Sequence, residues 1–555
     1  MDWRSGLPIL FAFIAMTPGH AANLSAEAPS EMKNGEPSVV WSRSVAMQAP
    51  SPSRITIEGT DIDGRFVPQA VNTPDDDPKR TKKTPLPLGE DLLGRFDARS
   101  FGSEERVEAE RLDDGLIIRC GEGTAPAGVV LEADTLHFPR AAQLKLVVTG
   151  LGSGEPFGLS IVERGEDAPS AAQSPIGIAG VSLQLSPNSA DDLPSRDVVI
   201  NCPPGQGSFR LNAISLEPDR SLSSVSHTGT WLWNAETWLT RPWLIEKWAV
   251  TSRLDRVFLQ LRIDNGELAD GRALADFIAH LGRRGISVHA VEGDPAMIVG
   301  DGLDNALRRV AAIRRYQTAN RPDARLAGLQ FDIEPYLLAD FALDPTAVWS
   351  QWAAAIQSLS AAWGQPVSIV VPFWMLDSEA GRSAIDSARF AVSDLTVMAY
   401  RTETGEVTAL SEPWLAWGAL HDLPIRIALE NGPLGVEVHR TFLRAETGHL
   451  QLTTENRIAT VSLLSEPARA HQGALAYAFH HETRVNPARI SFMNNRDKLA
   501  VARAELARLL VAWPSFDGLM IHALDEADGG LGGPHIPMPE TRANEPQASD
   551  PDLRR

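Results

Sequence analysis

The stretch Leu326-Ala327-Gly328-Leu329-Gln330-Phe331-Asp332-Ile333-Glu334-Pro335-Tyr336 decides how the rest of the chain is read. Leu329, Phe331 and Ile333 alternate with Gln330, Asp332 and Glu334. In a strand, alternate residues point to opposite faces. The three apolar residues are therefore expected against covering helices, and the three polar ones inside a barrel. Pro335 has no N–H for a ladder and stops the strand. Asp332 and Glu334 are thus expected side by side at the carboxyl end of a buried parallel strand, where barrel enzymes carry their catalytic groups.

Working outward, strand-like and helix-like stretches alternate from about 228 to 530. Strands are expected at 231–234, 257–264, 286–291, 326–334, 367–374, 394–400, 425–430 and 518–524. Helices such as 273–284, 303–317, 347–363 and 496–513 lie between them. This alternation predicts an α/β fold, a (β/α)8 TIM barrel over 225–530, with a doubly wound sheet as the runner-up. Residue parity agrees. Val257, Leu259, Leu261 and Ile263 oppose Gln260, Arg262 and Asp264. Ile425, Ile427 and Leu429 oppose Ala428 and Glu430, and Leu519, Ile521 and Ala523 oppose Met520 and His522. Between the seventh and eighth strands, 437–495 contains alternating segments such as Leu450-Gln451-Leu452 and Ala474-Leu475-Ala476-Tyr477. It reads as a β-rich insertion above the barrel mouth.

Upstream, 89–220 holds short apolar runs separated by Gly, Pro, Asp and Ser, the pattern of an all-β sandwich. Its role reads as sugar binding or as a spacer. Residues 22–88 are rich in Pro, Ser, Asp and Lys and read as a flexible linker. The tail 531–555 reads as disordered. Residues 1–21 read as a cleavable secretory signal: Arg4, an apolar core from Leu7 to Met16, and Gly19-His20-Ala21 as the cleavage site. The mature chain is then exported, periplasmic or secreted, with no integral membrane span; an uncleaved anchor stays open. The only cysteines, Cys120 and Cys202, either pair in an oxidising compartment or are two buried thiols. The formal net charge of −20 argues against non-specific binding to nucleic acid or an anionic membrane. No Cys/His cluster has metal-site spacing, and no metal or cofactor is expected.

Several side chains are expected to converge at the carboxyl ends of the strands. They are Asp332 and Glu334 from the fourth, Tyr400 and Arg401 from the sixth, Glu430 and Asn431 from the seventh, and His522 from the eighth. Trp233, Arg262, Asp264, Glu292, Asp294, Trp374 and Asp377 come from the others, with Asp525 and Glu526 beyond the eighth strand. Carboxylates with aromatic faces suit a sugar cleft, because glycosidic cleavage needs paired carboxyl groups. Glu292, Asp377, Asp525 and Glu526 read as solvated rim charges. Asp332 and Glu334 read as functional, since a buried carboxylate costs several kcal/mol unless it is paired or used. Trp349, Trp352 and Trp363 read as helix packing. Trp238, Trp243, Trp414 and Trp417 follow strands and are divided between cleft and core. His480-His481-Glu482 reads as cleft wall or plain loop, because its spacing does not suit a helical metal pair.

Three motifs resemble the family-eighteen glycoside hydrolases, the chitinase-like barrels. That family carries Asp-Gly-x-Asp-x-Asp-x-Glu on its fourth strand. Here Gly328, Asp332 and Glu334 match, while Ala327 and Gln330 replace the first two acids. Met398-Ala399-Tyr400 matches the sixth-strand motif, with Arg401 in place of an acid or amide. Gly518-Leu519-Met520-Ile521-His522 matches the eighth, with His522 in place of a Trp. The resemblance covers the barrel alone and describes a remote relative. It implies that Glu334 is the general acid, that Asp332 orients a substrate N-acetyl group whose oxygen attacks the anomeric carbon, and that Tyr400 hydrogen-bonds near that group. Trp374 or Trp233 then replaces the missing floor Trp. A second mechanism, from barrels that pair a fourth-strand acid with a seventh-strand nucleophile, gives the nucleophile's role to Glu430. The expected activity is O-glycosyl hydrolysis of a polysaccharide, with an amino-sugar polymer in view. The rival is a non-catalytic carbohydrate-binding protein on a degenerate barrel.

Overall fold

In the computed structural model the described residues are 38–46, 52–62, 65–72, 88–103, 105–132, 139–163, 173–176, 180–185, 196–220, 227–338, 340–341, 344–455 and 458–524. The signal segment, the tail, Asp525 and Glu526 lie outside them.

A closed barrel of eight parallel strands forms the carboxyl-terminal half. Its strands are Thr228–Leu232, Arg256–Gln260, Ser287–Glu292, Leu329–Phe331, Val367–Pro372, Val392–Met398, Ile425–Glu430 and Phe516–His522. Closure comes from the first and eighth strands, where Thr230 sits opposite Ile521. These strands are buried on both faces, as parallel strands under helices must be. Leu329, Phe331 and Ile333 join the outer core with helix residues such as Val310, Trp349 and Trp352. Trp231, Phe258, Val291, Val370, Met398, Ala428 and Met520 fill the interior.

Below that apolar layer, toward the amino ends, the interior is ionic. Arg426 pairs with Asp394 at 2.6 Å and with Asp517 at 3.1 Å, and Arg256 meets Asp517 at 3.0 Å. Gln330 ties this network to the apolar layer. Its amide donates to Ser368 at 2.9 Å and its carbonyl accepts the Trp231 indole N–H at 2.7 Å.

Three expected strands are shorter than their patterns, the fifth among them, which ends at Pro372. The fourth ends at Phe331, so Asp332, Ile333 and Glu334 lie past the ladder; a single bond, Asp332 N–H to the Glu292 carbonyl at 2.8 Å, continues it. The second ends at Gln260. Ile263–Asp264 then pairs with Glu267–Leu268 across Asn265 and Gly266, both left-handed, as a tight hairpin turn demands. Arg262 is therefore carried off the barrel wall.

Two five-stranded sheets build the upstream region, in the orders 173–176, 157–163, 196–201, 128–132, 97–101 and 180–185, 144–154, 207–218, 115–120, 107–112. Phe157 of one sheet packs on Phe209 of the other, ring centroids 5.8 Å apart. Cys120 and Cys202 form a disulfide between them, with Cα atoms 5.7 Å apart. This pair of sheets is fastened near the start of the eighth barrel strand. The Trp513 indole donates to the Arg140 carbonyl at 2.8 Å, Gln143 N–H donates to the Ala512 carbonyl at 2.7 Å, and Arg140 pairs with Glu412 at 3.1 Å.

The linker reading of 22–88 is corrected for part of its length. Val39–Ala46, Arg54–Ile62 and Arg65–Asn72 are strands of a seven-stranded sheet. Their partners are the four strands between the seventh and eighth barrel strands: Val436–Ala445, Thr447–Glu455, Ile458–Arg469 and Ala474–Val485. The sheet has its own core of Ile55, Ile57, Phe442, Leu450, Leu452, Val461 and Tyr477. Burying each Ile stabilises it by roughly 1.5–3 kcal/mol, which supplies the physical reason these polar-flanked strands are ordered.

Candidate active site

Pro335 opens a single 3-10 turn, Pro335–Leu337, directly after Glu334. The turn folds Tyr336 back, so that its phenol donates to Glu334 Oε1. Trp374 holds the Tyr336 ring edge-on at 5.1 Å, and Phe341 and Trp349 pack behind Trp374 at 6.4 and 6.2 Å. The acid therefore sits against a wall of aromatic rings. Tyr336 was not legible as a site residue from strand parity; the Pro-Tyr pair immediately after the acid was the available signal.

Burial pushes the Glu334 carboxyl up to about 8, the nearby Asp332 charge adds to the rise, and the Tyr336 and His522 contacts offset part of it. Burial also lifts Asp332, to about 6, against the lowering pull of His522. Asp332 Oδ1 is buried and takes no hydrogen bond from any described residue. The acids deeper in the barrel differ, since Asp394 lies against Arg426. An unsatisfied buried acceptor is costly, and it is the kind of group a ligand N–H or O–H would satisfy.

Across the mouth, Glu430 is only 2% exposed. Its Oε2 accepts from His522 Nδ1 at 2.7 Å and its Oε1 from the Gly432 N–H at 2.6 Å. Burial alone would raise this carboxyl, but His522 and the N–H groups of Gly432 and Asn431 outweigh it and hold it below the usual range. The Tyr400 ring lies 6.2 Å from His522. Burial and the charges of Glu430, Asp332 and Glu334 raise the Tyr400 phenol far above its ordinary value, so it stays a hydrogen-bond donor. Asp332, Glu334, Tyr400, Glu430 and His522 thus converge on one mouth.

Trp233 packs beside this group against the interior cluster, and its buried indole N–H meets no acceptor among the described residues. Asn431 is buried, with its amide nitrogen 3.4 Å from Asn494 Oδ1. Three non-glycine residues at this rim, Met493, Asn494 and Ala523, are left-handed at φ 51°, 62° and 52°. Such conformations cost of order 1–3 kcal/mol each and gather at functional sites.

Other candidates lie elsewhere. Arg262 is clamped in a rim ion cluster with Glu236 at 2.9 Å and Asp270 at 2.8 Å, with Asp264 4.0 Å away. Arg401 donates to the Tyr400 carbonyl at 2.7 Å and pairs with Glu406 at 3.5 Å. Glu292 is not a solvated rim charge: it is buried and fork-paired to Arg309 at 2.7 and 2.9 Å. Asp294 caps the turn Pro295–Ile298 through the Ala296 N–H. Asp377 is exposed. Trp238 and Trp414 are core, Trp417 is tied to Asp386, and Trp243 is 66% exposed. His480, His481 and Glu482 lie within strand Ala474–Val485, where Glu482 pairs with Arg440. Among the described residues, no three His, Cys, Asp or Glu side chains gather to hold a metal ion, and no helix is long and apolar enough to cross a membrane.

No protein-family model matches the chain, and no curated protein matches it. Three solved structures illustrate its distant likenesses. The CBM22-1–GH10 modules of a Clostridium thermocellum endo-1,4-beta-D-xylanase, complexed with xylohexaose, are 10% identical at TM-score 0.25, over 63% of this chain and 81% of that one. A Cycas revoluta GH18 chitinase in complex with (GlcNAc)3 is 13% identical at TM-score 0.28, over 55% and 97%. A Podospora anserina GH26-CBM35 beta-(1,4)-mannanase is 9% identical at TM-score 0.27, over 60% and 86%. Likenesses this weak add nothing to the functional reading, which rests on the site itself.

Proposed function

We propose that this chain hydrolyses glycosidic bonds in a polysaccharide, with Glu334 as the general acid. One observation carries the reading: Asp332 and Glu334 stand half-buried at the mouth with Tyr336 donating to Glu334, in surroundings that push the Glu334 carboxyl up to about 8. A neutral carboxyl is what protonates a leaving sugar oxygen, and one whose pKa lies near the working pH does so best. Asp332 Oδ1, lacking a partner, accepts the N–H of a substrate N-acetyl group. The acetyl oxygen then attacks the anomeric carbon as Glu334 delivers its proton. The Glu334 carboxylate next takes a proton from the water that opens the ring intermediate, which regenerates the acid. Tyr400 donates to the acetyl group, and Trp233 and Trp374 floor and wall the sugar. We place the protein outside the cytoplasm, a location the Cys120–Cys202 disulfide supports because such bonds persist in oxidising compartments.

A second reading makes Glu430 a nucleophile. Its carboxyl, held ionised, favours this. Its burial and its two occupied oxygens weigh against it, since an attacking carboxylate must reach the anomeric carbon.

The test is reducing-end release from a panel of envelope polysaccharides and exopolysaccharides, comparing the wild type with Glu334→Gln. General acid catalysis contributes about 10²–10⁴-fold, so a loss of that size is expected. If the wild type releases nothing and both proteins bind the same polymer equally, the carbohydrate-binding rival replaces this reading.

A further inference from the structure

We propose that Tyr336 is the positioning residue of the acid: its phenol fixes Oε1 of Glu334 and leaves Oε2 as the oxygen that carries and delivers the proton. The inference rests on the proposed role of Glu334 and deepens it. The turn Pro335–Leu337 is closed by the Leu337 N–H on the Glu334 carbonyl at 3.0 Å. It brings the side chain two residues on back to the carboxyl, where the Tyr336 phenol donates to Oε1. The ring is itself held. Trp374 meets it edge-on at 5.1 Å, Phe341 does so at 6.5 Å, and it packs on the interior cluster of the barrel. Phe341 is backed in turn by Trp349, edge-on at 5.5 Å.

The two oxygens of Glu334 are therefore unlike. Oε1 accepts from Tyr336, whereas Oε2 takes no hydrogen bond from a described residue and is not sealed in the interior. A neutral carboxyl has one O–H donor and keeps acceptor capacity on its carbonyl oxygen. With the phenol donating to Oε1, that oxygen is the carbonyl and Oε2 holds the O–H. In the reaction the Oε2–H bond breaks and an O–H bond forms on the leaving sugar oxygen. That oxygen keeps the electron pair of its bond to the anomeric carbon. Glu334 is left as a carboxylate, and the bond from Tyr336 strengthens because its acceptor is now charged. The phenol thus fixes the acid before the transfer and supports its anion afterwards. The other groups acting on this carboxyl are Asp332, from the same segment, and His522, from the eighth strand; the Tyr336 bond is the larger of the two contacts that lower it.

The experiment needs no substrate. Glutamate carboxyls are labelled with carbon-13 in the full chain, and the Glu334 resonance is assigned by its loss in Glu334→Gln. Its titration is then followed in the wild type and in Tyr336→Phe, which keeps the ring and removes only the hydroxyl. The wild-type midpoint is expected near 8. In Tyr336→Phe it moves up by about one pH unit, as loss of a hydrogen bond to the charged form requires. A ring that only packed would leave the midpoint where it is, and a phenol that accepted from the neutral acid would move it down; either result overturns the proposal. Should Tyr336→Phe fail to fold, Tyr400→Phe carrying carbon-13 tyrosine decides, since it removes the other phenol at the mouth. One of its remaining tyrosine signals must step at the Glu334 midpoint, and the absence of such a step overturns the proposal. On any polymer the wild type cleaves, Tyr336→Phe lowers kcat and leaves KM nearly unchanged. An inactive polymer panel counts against the glycosidase reading and leaves the titration result standing.

Discussion

Burial pushes Asp394 up, but Arg426 at 2.6 Å and the hydroxyls of Ser368 and Ser393 outweigh it, and its carboxyl ends below the usual range. Asp332, in the same barrel, has only the pull of His522 against its burial and ends above it. The difference separates an acid neutralised where it stands from one that its burial leaves costly. Glu334 makes the cost measurable. Its folded value, about 8, lies above the ordinary 4.5, so the folded state binds the extra proton and loses stability as pH rises between those values. Glu334→Gln removes that loss. It is expected to stabilise the fold at pH 8 by on the order of a few kcal/mol at most, seen as a higher melting temperature, with no gain at pH 4. Thermal unfolding at both pH values checks this; equal shifts at both would show that the carboxyl is not strained. Parity marked Asp332 and Glu334 because alternation is a local property. It gave no hint of Tyr336, which reaches Glu334 through a turn, and it misplaced Arg262, because the Asn265-Gly266 turn removes that residue from the strand.

The sheet beside the mouth is made of two distant pieces of chain, and its seam is ionic. His439 is buried between Glu437, at 2.6 Å, and Glu58 of strand Arg54–Ile62, at 3.7 Å. Burial lowers the imidazole, but the two carboxylates outweigh it and raise it above 6.5. A raised histidine stabilises below its unfolded value, and that contribution fades as pH climbs through the folded one. The sheet is thus expected to lose melting temperature as pH rises above 6.5, and His439→Gln to flatten that slope. Protease sensitivity of 436–485 across this range reports the sheet directly, and an unchanged slope in the variant would discard the seam's role. The sandwich strands 115–120 and 128–132 could be read residue for residue, because Gly and Asp punctuate them. The strands at 39–72 could not, since their Pro and charged composition resembles a linker and their partners begin at Val436. The clue was Arg54-Ile55-Thr56-Ile57-Glu58, an alternation whose two isoleucines are fully buried.

On the scale of the whole molecule, the sandwich and the seven-stranded sheet sit at opposite ends of the barrel. Ala512 and Trp513, which hold the sandwich, precede the eighth strand, whereas Glu430 leads directly into the sheet. The sandwich is therefore fastened away from the candidate site. Its disulfide joins residues 82 apart, and closing a loop of that size is worth about 4 kcal/mol in the chain-entropy description. A Cys120→Ala, Cys202→Ala variant is expected to lose roughly that much, read as denaturant sensitivity of the sandwich, and wild type in reductant should match it. The split sheet has a further consequence, in time. Strand Arg65–Asn72 leaves the ribosome long before Val436–Ala445 exists, and residues 73–435 must be made between them. At about 5–20 residues per second that is a wait of roughly 20–70 s. Through that interval strand Val39–Ala46 has no partner and the hairpin of Arg54–Ile62 with Arg65–Asn72 keeps an open edge, so whatever shields the nascent amino-terminal segment decides how much of the chain reaches its final pairing.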